Sequence, residues 1–193
     1  PHVSIHLFQR GAPLLQDHLR QHDIDIAMTF SSSVKPQDLH EQPLFATRLC
    51  AIVNERHPLS TRQSISVAQL ASQPLVLPSE RHFVRQQLDK EADRQHTVIQ
   101  PAVEIDDLSH IIYMVRSGRW VSILPDAATL AVRGIVRIDL DEKVLLPTSI
   151  LSLNGVYQRK AVTEFLRLLY ESARMLLQST ETTCEICGES FLV

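Results

Sequence analysis

Val3-Ser4-Ile5-His6-Leu7-Phe8 opens the chain and Ile24-Asp25-Ile26-Ala27-Met28-Thr29-Phe30 follows, with Leu14, Leu15 and Leu19 spaced between them. In the first segment Val3, Ile5 and Leu7 alternate with Ser4 and His6, the period of a strand with one buried face. Gly11 and Pro13 break that pattern, and the three leucines then recur at helical spacing through Gln21, with Pro13 tolerated in a first turn. The second segment again places apolar residues at every other position and closes at Ser31-Ser32-Ser33. Strand, helix, strand requires a crossover, which is right-handed in nearly all cases, so the two strands are expected parallel in one sheet. An α/β fold is the expectation.

Working outward, Leu44 to Val53 is an apolar stretch that ends at His57-Pro58-Leu59. Val67 to Leu70 reads as a short helix. Leu75-Val76-Leu77, bounded by Pro74 and Pro78, fits a strand buried on both faces. Ser79 is placed to cap a mostly polar helix from Glu80 to Arg94. Val103 and Ile105 make another strand, and Leu108, Ile111, Ile112 and Val115 form an amphipathic helix ended near Gly118. Val121 to Leu124 is a strand, Pro125 starts a short helix through Ala131, and Ile135 to Leu140 and Ile150 to Tyr157 are the last strands. A closing helix carries Val162, Phe165, Leu166, Leu169, Ala173 and Leu176 in one stripe. Residues 179–193 read as a mobile tail.

Composition narrows the function classes. The 193 residues hold 19 lysines and arginines against 22 aspartates and glutamates, a formal charge of −3 with the cations scattered, which disfavours nucleic-acid binding by this stretch itself. Cys50, Cys184 and Cys187 are an odd count and a poor disulfide framework, as expected of a reducing cytoplasm. No apolar run approaches the roughly 20 residues of a membrane span, and the abrupt start at Pro1 reads as a fragment without a leader. Cys184-Glu185-Ile186-Cys187 has the spacing of half a zinc site without a second pair, so no metal is expected. Five glycines give little material for a nucleotide loop, and no G-x-S-x-G or HExxH pattern occurs, so neither a cofactor nor a catalytic residue is expected.

Several segments, in order, resemble the effector-binding region of LysR-type transcription regulators. They are His22-Asp23-Ile24-Asp25-Ile26-Ala27, Pro43-Leu44 before the strand ending at His57-Pro58-Leu59-Ser60, and Val67-Ala68-Gln69-Leu70 leading into Pro74-Leu75-Val76-Leu77. Met114-Val115-Arg116-Ser117-Gly118 leading to Val121-Ser122-Ile123-Leu124-Pro125 completes the set. Two positions depart from the family pattern: its glycine is replaced around His22-Asp23, and Trp120 stands where a second glycine is usual. The resemblance implies two Rossmann-like lobes joined by a two-stranded hinge, similar to type 2 periplasmic binding proteins. One lobe is expected over 1–73 and 148–178, the other over 74–147. It also implies a winged helix-turn-helix domain upstream, promoter DNA bound through that domain by a homodimer or homotetramer, and no membrane partner. The alternative on the same fold is a solute-binding protein of a transport system.

Ligands in open α/β sheets settle at the carboxyl ends of strands, where helix N-termini offer unpaired N–H groups. That rule selects the turns Gln9-Arg10-Gly11-Ala12 after the first strand, with Gln9, Arg10 and Gly11 as candidates, and Thr29-Phe30-Ser31 after the second, with Thr29 and Phe30 as candidates. In the other lobe it selects Ser79, Glu80 and Arg81, together with Leu124 and Pro125. Ser79 is either a plain N-cap or a cap that also donates to a carboxylate in the interlobe cleft. Arg10 and Arg81 counter an acidic effector or are solvated surface cations, and Thr29 lines the cleft or packs beside it. Trp120 is a sensing aromatic or, as is commoner for a lone tryptophan at a strand start, packing. A small acidic metabolite or inorganic anion is the expected effector.

Overall fold

The computed structural model describes residues 3–31 and 36–179, with side chains described through Met175. These residues fall into two compact units, one within Pro1–Ala46 and Pro147–Val193, the other Thr47–Leu146. The chain therefore passes from one unit to the other at Ala46/Thr47 and returns at Leu146/Pro147. The sequence reading puts the return at 147/148, one residue later than this division. The outward passage does not lie at residue 73, because a single 16-residue strand, β2 (Leu39–Asn54), runs unbroken through it. No glycine interrupts that strand and its one proline, Pro43, lies before the passage, so no residue marks the boundary itself.

In the first unit α1 (Ala12–Arg20) starts after Gly11, with Pro13 in its first turn, and is amphipathic. Its Leu15 and Leu19 pack with Ala27, Leu39 and Leu151. The helix stops at Gln21, and His22 then adopts φ of +61°, which turns the chain back so that Asp23 N–H donates to His18 O at 2.9 Å. The family glycine missing around this position has a physical reason to exist, since a left-handed backbone costs a residue with a Cβ but not a glycine. β1 (Ala27–Phe30) pairs antiparallel with β8 (Leu145–Leu153), Thr29 opposite Ser149 and Phe30 opposite Thr148. A second cluster joins Leu44 and Ile150 to Leu166 and Ala173 of α5 (Lys160–Ser179).

The expected strand Val3–Phe8 is not one. Val3, Ile5, Leu7 and Phe8 are exposed and outside regular structure, so the parallel strand-helix-strand unit is replaced by an antiparallel β1–β8 pair. Alternation encodes one buriable face, but it cannot form a strand unless a neighbour takes up the backbone N–H and C=O groups.

In the second unit the end of β2 pairs antiparallel with β6 (Ser122–Pro125) and with β7 (Ile135–Leu140), and β3 (Ser64–Ile65) lies parallel to β7. β4 (Val76–Leu77) and β5 (Val103–Glu104) are parallel partners. Cys50, Ile52, Val76, Ile111, Val115 and Leu124 form its core, with Trp120 packed against it. Trp120 is thus a packing residue, its ring lying 5.2 Å below the Arg119 guanidinium carbon. α2 (Val67–Leu70) is closed by a capping box between Ser66 and Gln69, and α4 (Leu108–Arg116) is capped by Asp107. α3 (Phe83–Arg94) begins three residues later than expected and its N-cap is His82, not Ser79. A 3-10 turn (Asp126–Thr129) replaces the short helix expected through Ala131.

Candidate functional site

β4 and β5 run parallel with Leu77 opposite Glu104, so both strands deliver their carboxyl ends to the same side. Pro78 lacks an N–H and ends the first strand, and Ser79 to His82 closes into a turn, His82 N–H donating to Ser79 O at 3.0 Å. After the second strand comes Asp106, whose Oδ1 accepts from Ser79 N–H at 3.0 Å. Ser79, Glu80, Arg81, Glu104 and Asp106 line an open cavity of about 340 Å³, within the range of small-molecule sites. α3 and α4 both start at this end, at His82 and Asp107.

Electrostatics at the cavity are mixed, with the carboxylates of Glu80, Glu104 and Asp106 beside the Arg81 cation that the sequence reading sets against an acidic effector. Asp106 sits below the ordinary aspartate range, held there first by the Ser79 hydroxyl and then by its N–H, with the His82 and Arg81 charges adding to the effect. His82 Nε2 is 3.3 Å from Asp106 Oδ1. The Ser79 hydroxyl is near enough to that carboxylate to favour its charged form, yet its buried oxygen makes no hydrogen bond among the described residues. Asp107 is likewise lowered, by the His110 N–H it caps and by the His110 ring. Beneath the cavity Arg85 is buried, and its pairing with Asp89 and Glu104 outweighs the desolvation that opposes its charge.

The residues selected from sequence divide among three places. Ser79, Glu80 and Arg81 come together, joined by Glu104 and Asp106, which sequence reading did not select. Leu124 and Pro125 are buried in β6; Leu124 belongs to the core and its carbonyl accepts from Cys50 Sγ at 3.6 Å. Gln9, Arg10 and Gly11 lie in the first unit, exposed before α1 and not at a strand end, with Arg10 Nη1 donating to Gln9 O at 2.8 Å. Thr29 and Phe30 end β1 half-buried in that same unit. There they adjoin Ser31, of the same expected turn, hydrogen-bonded through its hydroxyl to Ser149, and Thr148, whose buried Oγ1 has no partner among the described residues; Ser149 and Thr148 are residues that sequence reading missed. Cys184 and Cys187 lie outside the described residues. Among those described, no group of three or more His, Cys, Asp and Glu side chains could hold a metal ion, and no helix is long and apolar enough to cross a membrane.

Comparison with known proteins places this geometry in context. Residues 1–174 match the family model for the LysR substrate binding domain. The HTH-type transcriptional regulator YybE of Bacillus subtilis is 27% identical over 141 residues, 72% of this chain and 47% of that protein. The nitrogen assimilation regulatory protein nac of Escherichia coli is 25% identical over 160 residues, 80% of this chain and 49% of the relative. The chain thus spans about half the length of the curated relatives it matches. Among solved structures, the effector binding domain of QuiR in complex with shikimate superposes with a TM-score of 0.72 at 20% identity, covering 87% of this chain and 80% of that one. The Synechocystis CcmR regulatory domain in complex with 2-PG gives 0.70 at 17%, covering 83% and 79%. These likenesses carry the α/β effector-binding fold, and the family match over 174 residues carries the kinship: the chain belongs to the LysR substrate-binding domain family, a family of transcription regulators.

Proposed function

We propose that this chain is the effector-sensing part of a LysR-type transcription regulator and binds a small acidic metabolite at the Ser79 turn. The observation that carries the reading is the Ser79 hydroxyl: a buried oxygen without a settled partner, at the carboxyl ends of two parallel strands, beside the exposed Arg81. A buried polar atom left unpaired is costly, and a ligand that completes it recovers that cost. The carboxylates of Glu80, Glu104 and Asp106 oppose a bare anion, so the effector is an acid that also carries hydroxyl or amino donors able to satisfy them. Shikimate bound by QuiR, a hydroxylated acid, is the kind of compound to try first.

In the whole protein this domain acts from the cytoplasm as part of a homodimer or homotetramer, and promoter DNA is contacted by a winged helix-turn-helix domain upstream. Its role is to sense, not to catalyse: a bound effector shifts the regulator by its differential affinity for two states. Thermal-shift and calorimetric titration of the purified chain against hydroxy acids, amino acids and inorganic anions tests the binding reading. A true effector at about 100 times its Kd stabilises the domain by about 2.7 kcal/mol, an effect diminished by Ser79→Ala and Arg81→Ala. Stabilisation by neutral or cationic compounds alone, or acid binding that both substitutions leave intact, overturns it.

A further inference from the structure

Arg85 is the one arginine of the polar helix α3 whose side chain is almost fully buried, 4% exposed, whereas Arg94 on the same helix is 76% exposed. Its guanidinium spreads over four acceptors. Nε donates to Asp89 Oδ1 at 2.8 Å, one turn further along the helix. Nη1 donates to Glu104 Oε1 at 3.1 Å and to Pro78 O at 3.4 Å, and Nη2 donates to Ile99 O at 3.5 Å. One of these acceptors, Glu104, lines the cavity described above, and another, Pro78, is bonded directly to Ser79.

We infer that Arg85 is a positioning residue for the Ser79 cavity, its forked guanidinium fixing the end of β4 through Pro78 and the end of β5 through Glu104, so that Ser79 N–H meets Asp106. This deepens the effector reading by naming what holds its site in shape, and it rests on that reading only for the ligand. A planar, five-donor fork can hold both strand ends and the helix at once; a lysine ammonium, with the same charge on a flexible stem, cannot. The same contact sets a cation against Glu104 from below, which lessens the negative charge the cavity turns toward an acid.

The test is nuclear magnetic resonance on the whole 193-residue chain, following Ser79 amide exchange and the Asp106 carboxyl titration. In Arg85→Lys, Ser79 exchange accelerates at least about tenfold and Asp106 titrates closer to the ordinary aspartate value, while the Ala51 and Ile52 amides of β2 keep their protection. Asp89→Asn removes only the helix anchor and accelerates Ser79 about two- to threefold; Arg94→Lys, on the exposed side of α3, changes nothing. A folded Arg85→Lys variant with Ser79 and Asp106 unchanged overturns the inference. So does equal acceleration at Ala51 and Ile52, which marks general destabilisation. Should Arg85→Lys not fold, Asp89→Asn decides by the same two criteria. No ligand enters the measurement, so failure of every acid to bind the wild-type chain defeats the effector reading alone.

Discussion

Asp126 ties the end of β6 to the stretch of β2 where the chain enters the second unit, and replacing it tests whether hydrogen bonds or charge hold that junction. Its Oδ1 accepts from the Thr47 hydroxyl and from Arg48 N–H at 3.3 Å, and Thr47 Oγ1 in turn accepts from Ala127 N–H at 3.2 Å. Thr47 is 3% exposed, so its hydroxyl has little access to water. Asp126→Ala therefore strands a buried hydroxyl proton and a backbone N–H, and at about 1 kcal/mol or more for each orphaned donor the loss is about 2–3 kcal/mol. Asp126→Asn keeps the Oδ1 acceptor and loses the Arg48 contact at Oδ2, both ion pair and Nε–H hydrogen bond, 3.4 Å long and with the arginine 38% exposed. Such a pair is worth about 0.5 kcal/mol once solvent screening is counted. Urea unfolding followed by fluorescence of Trp120, the single tryptophan and a residue packed on this unit's core, reads both variants on one scale. An Asn variant as damaged as the Ala variant refutes the reasoning, because charge and not the accepting oxygen then holds the junction.

Other positions give independent checks. Burial pushes the Cys50 thiol up to about 12, with the Asp126 charge adding to it, so in a Cys184→Ser/Cys187→Ser background Cys50 reacts with a disulfide reagent at pH 8 only as fast as the domain unfolds; rapid labelling of the native protein contradicts this. His57 is buried and its imidazole is lowered from 6.5 by desolvation, while Nδ1 accepts from Leu59 N–H at 3.2 Å. Its folded pKa lies below the unfolded one, so the unfolded chain takes up the proton first, and stability falls as pH drops from 6.5 toward the lower folded value. His57→Gln flattens that slope in urea titrations between pH 7 and 5, and an unchanged slope assigns it to another group. His22→Gly relieves the left-handed backbone at φ of +61° and raises stability by about 1 kcal/mol, whereas His22→Ala gains nothing; equal effects of the two remove the backbone explanation.

What the sequence disclosed follows from how far each signal reaches. Ile135–Leu140 and Val67–Leu70 appear with their expected bounds because alternation and a capping box are local devices. Val3–Phe8 fails because a strand needs a partner that alternation does not supply. The start of α3 fails for a related reason: the Ser79 N–H goes to Asp106, 27 residues away, and the chain makes a turn to His82 before the helix begins. The passage at Ala46/Thr47 left no local trace because pairing with β6 and β7 continues β2 past it, with no proline or glycine from Leu44 to Asn54 to mark a stop.

The candidate site shows the same division, and also how the missing half could have been reached. The strand-end rule finds Ser79, Glu80 and Arg81 from β4 alone. Glu104 and Asp106 enter because β5 lies parallel to β4 with Leu77 facing Glu104, which sets residue 79 across from residue 106, two places beyond each partner. Both strands are visible as apolar runs in the sequence, and a short parallel pair requires a crossover between them, which the polar helix supplies. Pairing those runs before applying the strand-end rule therefore yields the acidic wall with the serine. Arg85 follows by the same logic: a cation on the crossover helix, facing strands that carry Glu104 and the Pro78 carbonyl, has acceptors at hand that solvent would otherwise have to provide. In such a unit the cavity-lining residues are written as two tripeptides at the ends of paired strands, and the arginine that bonds to both strand ends is written on the helix between.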